Sequence, residues 1–561
     1  METKYEPSVC NNKMTFEECE LAILRQAVDE SEEMKGKKTA MNEDVKQIVD
    51  LLEKFLQEKP LICYGGTAIN NILPKQSQFY NRELEIPDYD FYSKNALNDA
   101  IELANRYADA GYVEVEAKSG VHHGTYKVFV NFIPIADITF LHEDIFDALF
   151  EDSISVAGIK YCPANFLRMN MYLELSRPMG DVSRWEKVFK RLVLLNKHYP
   201  VNPSLNCNMV EFQKKLEEKT LRSIEASSAK ASSAKASSAK ASSAKASSEK
   251  ASSANASEKA SSAKASSAKS LQVESKNIEE DIHIVIRDTL ISMDALFIGG
   301  YACSLYSEYM KDSDKRKVEK TADFDVIVED VEKAAIILKE RIEDKIGKKI
   351  VMIQHAEINE IIPKHIEIKI DDDSVAFLYE PIACHNYNKI TLDNGLSVNV
   401  ATIDTLLSFY LAFMYAKKKY YNKDKIICMA MFLFDVQEKN RLKQKGLLKR
   451  FSLQCMGKQS TLELIRSEKA IKYKELKDKK DTPEYDEWFL KYNPHMKRRQ
   501  VSRKQDYHHK EKMEFVFSPE AKHAQEKPKF QPKSVKTMKK KKYGKKKKGK
   551  KGKKTFKNFL F

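Results

Sequence analysis

Hydrophobic and polar positions alternate with two recurring periods along this chain, and the same succession of elements occurs twice. In the first half, "NEDVKQIVDLLEKFLQEK" (42–59) has the three-to-four spacing of an amphipathic helix. The short apolar run "LICY" follows, then a glycine pair, then the helix-like "TAINNIL". The second half repeats this order: a helical "EEDIHIVIRDTLIS", the strand-like "ALFI", the pair Gly299–Gly300, and the helix-like "YACSLYSEYM". A D-x-D pattern follows each glycine pair, Asp88 and Asp90 in "IPDYDFYS" and Asp323 and Asp325 in "TADFDVIVED". The interval is 23 residues from Gly65 to Asp88 and 24 from Gly299 to Asp323. "FIPIADITF" (132–140) and "YEPIACHNY" (379–387) then align through P-I-A. These three features in one order predict an internal duplication.

Between the halves, residues 226–269 repeat "ASSAK" with small variations. Five-residue steps rotate a helix by about 140° beyond a full turn, so no apolar stripe forms. Serine weakens helix further. The segment reads as a flexible linker reaching about 35 Å as a coil, with a lone solvated helix as the alternative. The predicted organisation is an N-terminal helical segment (1–60), a first lobe (61–217), the low-complexity linker (218–272), a second lobe (273–440), a charged helical or extended region (441–530) and a lysine-rich tail (531–561). The region after residue 437 reads either as a helical extension on the second lobe or as an arm along a polyanion.

Charge changes this picture at one end only. The chain carries 96 Lys and Arg against 81 Asp and Glu, a net +15, and fifteen lysines with no acid lie from Lys533 onward. The rest is therefore close to neutral, and the excess sits in "KTMKKKKYGKKKKGKKGKKTFKNFLF". Such a run has too little apolar surface to fold and is expected to stay disordered; it reads either as a solubility or nuclear-targeting tail or as a polyanion tether, since each lysine at a phosphate releases a counterion. Nine cysteines show no metal-ligand spacing and read as buried or free thiols of a reducing compartment. No apolar run has the length of a membrane span or a signal core, which predicts a soluble, intracellular protein without a membrane partner.

Candidate chemistry concentrates in the first half. Residues two apart on a strand share a face, so Asp88 and Asp90 project together and repel unless a cation relieves them. Hard oxygen donors suit Mg²⁺ or Mn²⁺, which leave positions open for substrate phosphates. Asp137, the one charged residue of the apolar "VFVNFIPIADITFL", is the candidate third acid of a two-ion site. The bare backbone of Gly65 and Gly66 at a helix start, with the Thr67 hydroxyl, forms a candidate anion cradle. In "SRWEKVFKRLVLLNKH", Ser183 and Glu186 predict a capping box, Trp185, Val188, Phe189, Leu192 and Leu195 an apolar face, and Arg184, Lys187 and Arg191 a cationic flank. His122 and His123 read as hairpin residues.

"YGGTAIN", "PDYDFYS" and "PIADIT" resemble the nucleotidyltransferase superfamily of the polymerase-beta type. "HHGTYKVFVNFIPIADITF" and "SRPMGDVSRWEKVFKRL" resemble the poly(A) polymerase catalytic subunits of poxviruses and other large cytoplasmic DNA viruses, over roughly residues 60–200. The resemblance implies an α+β fold of two nucleotidyltransferase-like lobes, each a short mixed sheet with flanking helices. It implies template-independent addition of poly(A) to RNA 3′ ends from ATP, with two Mg²⁺ or Mn²⁺ ions on Asp88, Asp90 and Asp137. Gly65, Gly66 and Thr67, with Arg184, Lys187 and Arg191, would hold the nucleotide. It also implies host-cytoplasmic viral factories or the virion as location, and a cap-methyltransferase-type processivity partner; the doubled lobes leave homodimerisation open. An oligoadenylate-synthetase-like or CCA-adding enzyme, or a non-catalytic RNA scaffold, are the alternatives. In the second half Cys384 stands opposite Asp137 in the P-I-A alignment, so that lobe is expected to be silent, with "DDDS" (371–374) an exposed hairpin turn.

Overall fold

The computed structural model describes residues 9–201 apart from 12, 41 and 82, then residue 207, residues 281–312, and residues 324–496 apart from 481. The "ASSAK" segment, Asp323 and the lysine-rich tail lie outside the described residues. After the exposed helix α1 (Phe16–Ala40), α2 (Glu43–Glu58) starts where the Asn42 side chain accepts from the Asp44 amide. Its Val45, Ile48, Leu52, Phe55 and Leu56 form one buried stripe, as the spacing predicts.

Two eight-stranded mixed sheets follow. The first contains β1 (Ile62–Tyr64), β2 (Tyr89–Ser93), β3 (Val115–Ser119), β4 (Thr125–Val130), β5 (Ile133–Phe140), β6 (Ile154–Val156), β7 (Ile159–Tyr161) and the late strand β16 (Lys491–Tyr492). The second contains β8 (Leu296–Phe297), β9 (Phe324–Ile327), β10 (Val351–His355), β11 (His365–Ile370), β12 (Asp373–Tyr379), β13 (His385–Thr391), β14 (Ser397–Ala401) and β15 (Cys455–Met456). Their orders are β16-β3-β4-β5-β2-β1-β7-β6 and β10-β11-β12-β9-β8-β14-β13-β15. Without the added edge strands β16 and β15, seven strands match one for one.

The directions match as well. An antiparallel β3-β4-β5 meander lies parallel to β2, as β10-β11-β12 lies parallel to β9. The next neighbour is antiparallel, β1 or β8, and is followed by a parallel strand from a hairpin, β7 or β14. Even the irregularity recurs, a register shift at Val128/Phe129 and at Ile368/Lys369. Corresponding helices follow: α3 (Gly65–Ile72) and α8 (Gly300–Tyr306) after the glycine turns, α4 (Ala96–Asp109) and α9 (Val331–Ile346) before the meanders. Helix α6 (Ala164–Leu175) follows β7, α10 (Ile403–Phe413) follows β14, and the two pack on each other in one core. Fully buried Arg168 holds α6 to α7 (Trp185–His198) through Asn196 Oδ1 at 2.7 Å, with Asn165 and the Tyr199 carbonyl as further partners.

Three expectations need correction. The region after residue 440 is shared between the lobes: β15 pairs with β13 of the second, as a helical or extended addition there would. After α12 (Leu462–Leu476) and α13 (Pro483–Phe489), however, the chain returns to the first, where β16 pairs with β3 and the Ser119 amide donates to the Leu490 carbonyl at 3.0 Å. An open sheet edge accepts any chain able to reach it, which local periodicity does not reveal. The cysteines are not all free: Cys10–Cys19, Cys207–Cys428 and Cys384–Cys455 are disulfides, and Cys63, Cys162 and Cys303 are buried thiols. Their partners lie 9, 221 and 71 residues apart, so only folding brings them together. The capping box is also absent: the Asp181 side chain accepts from Ser183, Ser183 lies in a short 3-10 turn, and Glu186 pairs with Lys190 at 2.7 Å.

Candidate nucleotidyl-transfer site

Strand register assembles the acids. Asp90 on β2 stands opposite Asp137 on parallel β5, and Tyr64 at the end of β1 stands opposite Asp90. Neighbouring strands are about 4.8 Å apart, so both carboxylates issue from adjacent positions of one sheet face. Asp88, one residue ahead of β2, belongs to the same side by alternation. On β4, Lys127 faces Asp137 and its ammonium pairs with Asp137 Oδ2. Asp137 is therefore in the middle of a strand, not at its end.

Like charges so close oppose ionisation. Desolvation first, then the charges of Asp88 and Asp137, push the Asp90 carboxyl up to about 7, against the pull of Lys127 and Arg184. Desolvation and then Asp137 raise Asp88 as well, with Lys127 opposing. Excess negative charge of this kind, on hard oxygens, fits a divalent cation such as Mg²⁺. Among the described residues no group of three or more His, Cys, Asp or Glu side chains is placed to hold a metal ion, and Asp137 is paired with Lys127.

The glycine turn is pressed against these acids. Gly65 has φ +75°, and a Cβ there would lie 2.4 Å from Asp90 Oδ2. Both facts require glycine. At Gly66 a Cβ would come 2.6 Å from the Tyr80 hydroxyl and 2.9 Å from Arg191 Nη1. Arg191 donates to Tyr80 Oη at 2.5 Å and lies over the Phe79 and Tyr80 rings, 4.9 and 5.4 Å from their centroids. A guanidinium and a phenol thus border the turn at the start of α3. The Asn70 side chain holds the backbone of Phe79 and Tyr80 in place, accepting from both amides at 2.8 and 2.9 Å.

Of the other candidates, Arg184 begins α7, lies 3.3 Å from Glu174 and acts electrostatically on Asp90. Lys187 is exposed one turn from Arg184 and Arg191 on the same helix. Thr67, expected in the anion cradle, is buried and donates its hydroxyl to the Asp88 carbonyl at 2.6 Å, tying the glycine helix to the acid segment. His122 and His123 are in the β3–β4 turn, where His123 packs on Trp488 with centroids 4.1 Å apart. Tyr80 and Lys127 were missed. Lys127 is an outward position of an alternating strand and could have been noticed; nothing in "KQSQFYN" marks Tyr80.

The second lobe repeats the frame and fills the space. Asp325 has the place of Asp90, and a Cβ on Gly299 would lie 2.1 Å from its Oδ2. Its neighbour on β12 is Phe377, so Phe377, not Cys384, replaces Asp137. The matching bulges settle this, since Val128 pairs Ala136 as Ile368 pairs Ala376. Cys384 lies just ahead of β13 in its disulfide with Cys455. Over this face Tyr420 packs on Phe377, with centroids 5.0 Å apart, and shares a hydrogen bond with His365 Nε2 at 2.8 Å. Tyr379 donates to Asp325 Oδ1 at 3.4 Å, and its hydroxyl meets that of Tyr421 at 2.9 Å. Tyr421 stacks on Phe413 with centroids 4.3 Å apart. The "DDDS" stretch is the exposed tip of the β11–β12 hairpin, as expected.

Residues 50–181 match the family model described as poly(A) polymerase catalytic subunit. The resemblance read in the motifs is shown. A mimivirus protein from Acanthamoeba polyphaga mimivirus, provisionally named a poly(A) polymerase catalytic subunit, is 30% identical over 175 residues, which cover 30% of this chain and 28% of that one. A protein of African swine fever virus (isolate Pig/Kenya/KEN-50/1950) with the same provisional name is 29% identical over 171 residues, 29% of this chain and 36% of that one. The match thus spans about a third of these relatives. The crystal structure of the Megavirus polyadenylate synthase shares the fold, with a TM-score of 0.63 at 16% identity over 90% of each chain.

Proposed function

We propose that this chain is a template-independent polynucleotide adenylyltransferase that extends RNA 3′ ends from ATP in its first lobe. The observation that carries the reading is the Asp90–Asp137 register beside a glycine turn flush with Asp90. Asp88, Asp90 and Asp137 are the residues that would hold Mg²⁺ or Mn²⁺, whose contribution is Lewis-acid stabilisation of charge on the reacting phosphoryl oxygens. The backbone amides at Gly65 and Gly66, with Arg191 and the Tyr80 hydroxyl, bind the β- and γ-phosphates, and Arg184 offsets negative charge near Asp90. The primer 3′-oxygen attacks the α-phosphate in line and pyrophosphate leaves. Lys127 holds Asp137 in position and neutralises it before substrates bind.

The second lobe, on this reading, supports the first and carries no chemistry. It lacks the third acid, and aromatic rings stand where substrate would. The family resemblance adds a cap-methyltransferase-type partner, for which the lysine-rich tail is a substitute way of retaining RNA, and homodimerisation stays open. Extension of labelled RNA with each nucleoside triphosphate in turn, with pyrophosphate release as a second readout, tests the activity. Addition with ATP alone supports it. Release without primer extension by adenylate would favour the oligoadenylate-forming alternative, and addition of CTP before ATP the CCA-adding one.

A further inference from the structure

The order of strands gives the first site a direction. The glycine turn ends β1, Asp90 is on β2, Asp137 on β5, Lys127 and Phe129 on β4, and Lys118 on β3. In-line displacement places the attacking oxygen opposite the leaving group. With the triphosphate at the β1 end, the attacking strand must therefore enter across β4 and β3. Alternation along β4 puts Lys127 and Phe129 on the face that carries Asp137, with buried Tyr126, Val128 and Val130 on the other.

Two aromatic rings lie along that approach. Phe129 is half-buried, with Lys118 Nζ 4.0 Å from its ring centroid; Lys118 also reaches Glu116 at 3.3 Å. Phe132, at the tip of the β4–β5 hairpin, is 81% exposed and has φ +65°. A bulky side chain is rare in that conformation, which glycine or asparagine adopts readily. The second lobe carries Lys369 and Asp372 at the two corresponding places, so the aromatic pair accompanies the lobe with the complete acid set.

We propose that Phe129 and Phe132, flanked by Lys118 and Lys127, form the subsite that receives the 3′-terminal nucleotides of single-stranded RNA. Bases stack on the two rings and the backbone phosphates face the lysines, a sequence-tolerant mode of binding. Charge complementarity and continuity with the acid face select this occupant. The subsite rests on the adenylyltransferase reading for its direction.

The test uses the full chain and a short, unstructured, fluorescently labelled RNA. Its affinity is measured by anisotropy in EDTA, and KM for primer and for ATP separately with Mg²⁺. Phe129→Leu keeps the apolar bulk and loses the stacking plane; it should weaken RNA binding and raise primer KM about tenfold, with KM for ATP changed less than about twofold. Phe129→Tyr should restore both. Phe132→Gly should raise the melting temperature, because Asn-Gly is favoured in a two-residue hairpin turn, while weakening RNA binding. That combination excludes misfolding as the cause. Wild-type RNA affinity in Phe129→Leu, or an equal rise in both KM values, would overturn the subsite. A wild-type protein that binds this RNA but releases no pyrophosphate would instead overturn the adenylyltransferase reading and leave RNA binding in place.

Discussion

The first and second lobes share seven strands in one order, the same directions and the same bulge, yet differ at the two places that matter for chemistry. Opposite the D-x-D strand, one has Asp137 and the other Phe377. Above that face, one has Arg184 and Arg191, the latter beside the glycine turn, and the other has Tyr420 and Tyr421 packed onto aromatic neighbours. A sheet scaffold is held by burial on its packed face, so the opposite face can change from carboxylates to rings without altering the topology. On the proposed reading, what separates function from fold is the exchange of an acid for a ring and the aromatic cover over that face.

The largest expected effect is on the acid that only one lobe has. Asp137→Asn should lower the rate of RNA extension thousands-fold or more, several kcal/mol of barrier, with an unchanged circular dichroism spectrum. The reciprocal Phe377→Asp should confer no activity when the first lobe is disabled. Extension by that variant would mean the second lobe needs only an acid, and the aromatic cover is irrelevant. Next comes the glycine turn. Gly65→Ala places a side chain at φ +75° and 2.4 Å from the Asp90 carboxylate, so activity should fall at least about a hundredfold and stability by roughly 1–2 kcal/mol. Gly66→Ala meets only the ends of Tyr80 and Arg191, which can yield, and should mainly raise KM for ATP.

These contrasts depend on parts of the molecule that differ in how openly the sequence displays them. The helix–strand–glycine order and the D-x-D are local and were legible in spacing, and Asp137 stood out as the one charged residue of an apolar run. Pairing across long intervals was hidden. P-I-A aligned Asp137 with Cys384, whereas strand register aligns it with Phe377, because the second lobe has a shorter path from its meander to the next hairpin. Register depends on which strands meet, and a three-residue match carries less information than the bulge it ignored. The same reason hid the disulfides, the return of β16 to the first sheet, and the convergence of Tyr80 on Arg191.

The aromatic cover gives a stability contrast. Tyr420→Ala removes a half-buried ring and its hydrogen bond to His365, and should destabilise the protein by roughly 1–3 kcal/mol in chemical unfolding. Adenylation per folded molecule should stay as in wild type. A loss of activity that exceeds the loss of folded protein would make the second lobe a participant in the reaction.

The smallest contrast is one of pH. The folded protein holds the Asp90 proton up to about pH 7, well above the ordinary carboxylate range, so between roughly pH 4 and 7 the native state binds more protons than the unfolded chain. Stability contributed by this group therefore falls as pH rises through that window. Without metal, Asp90→Asn should be more heat-stable than wild type, by a margin that is least near pH 4, grows to about pH 7 and is flat above it. Mg²⁺ must displace that proton, so its affinity should rise over the same range. A margin independent of pH would remove Asp90 from the charge-crowded site.

The most direct test of the division of labour is extension of labelled RNA with ATP and Mg²⁺ by two variants side by side, Asp90→Asn and Asp325→Ala, with folding verified for each. The account predicts no detectable adenylate addition by the first and near-wild-type addition by the second. An active Asp90→Asn protein, or a folded and inactive Asp325→Ala protein, would contradict it.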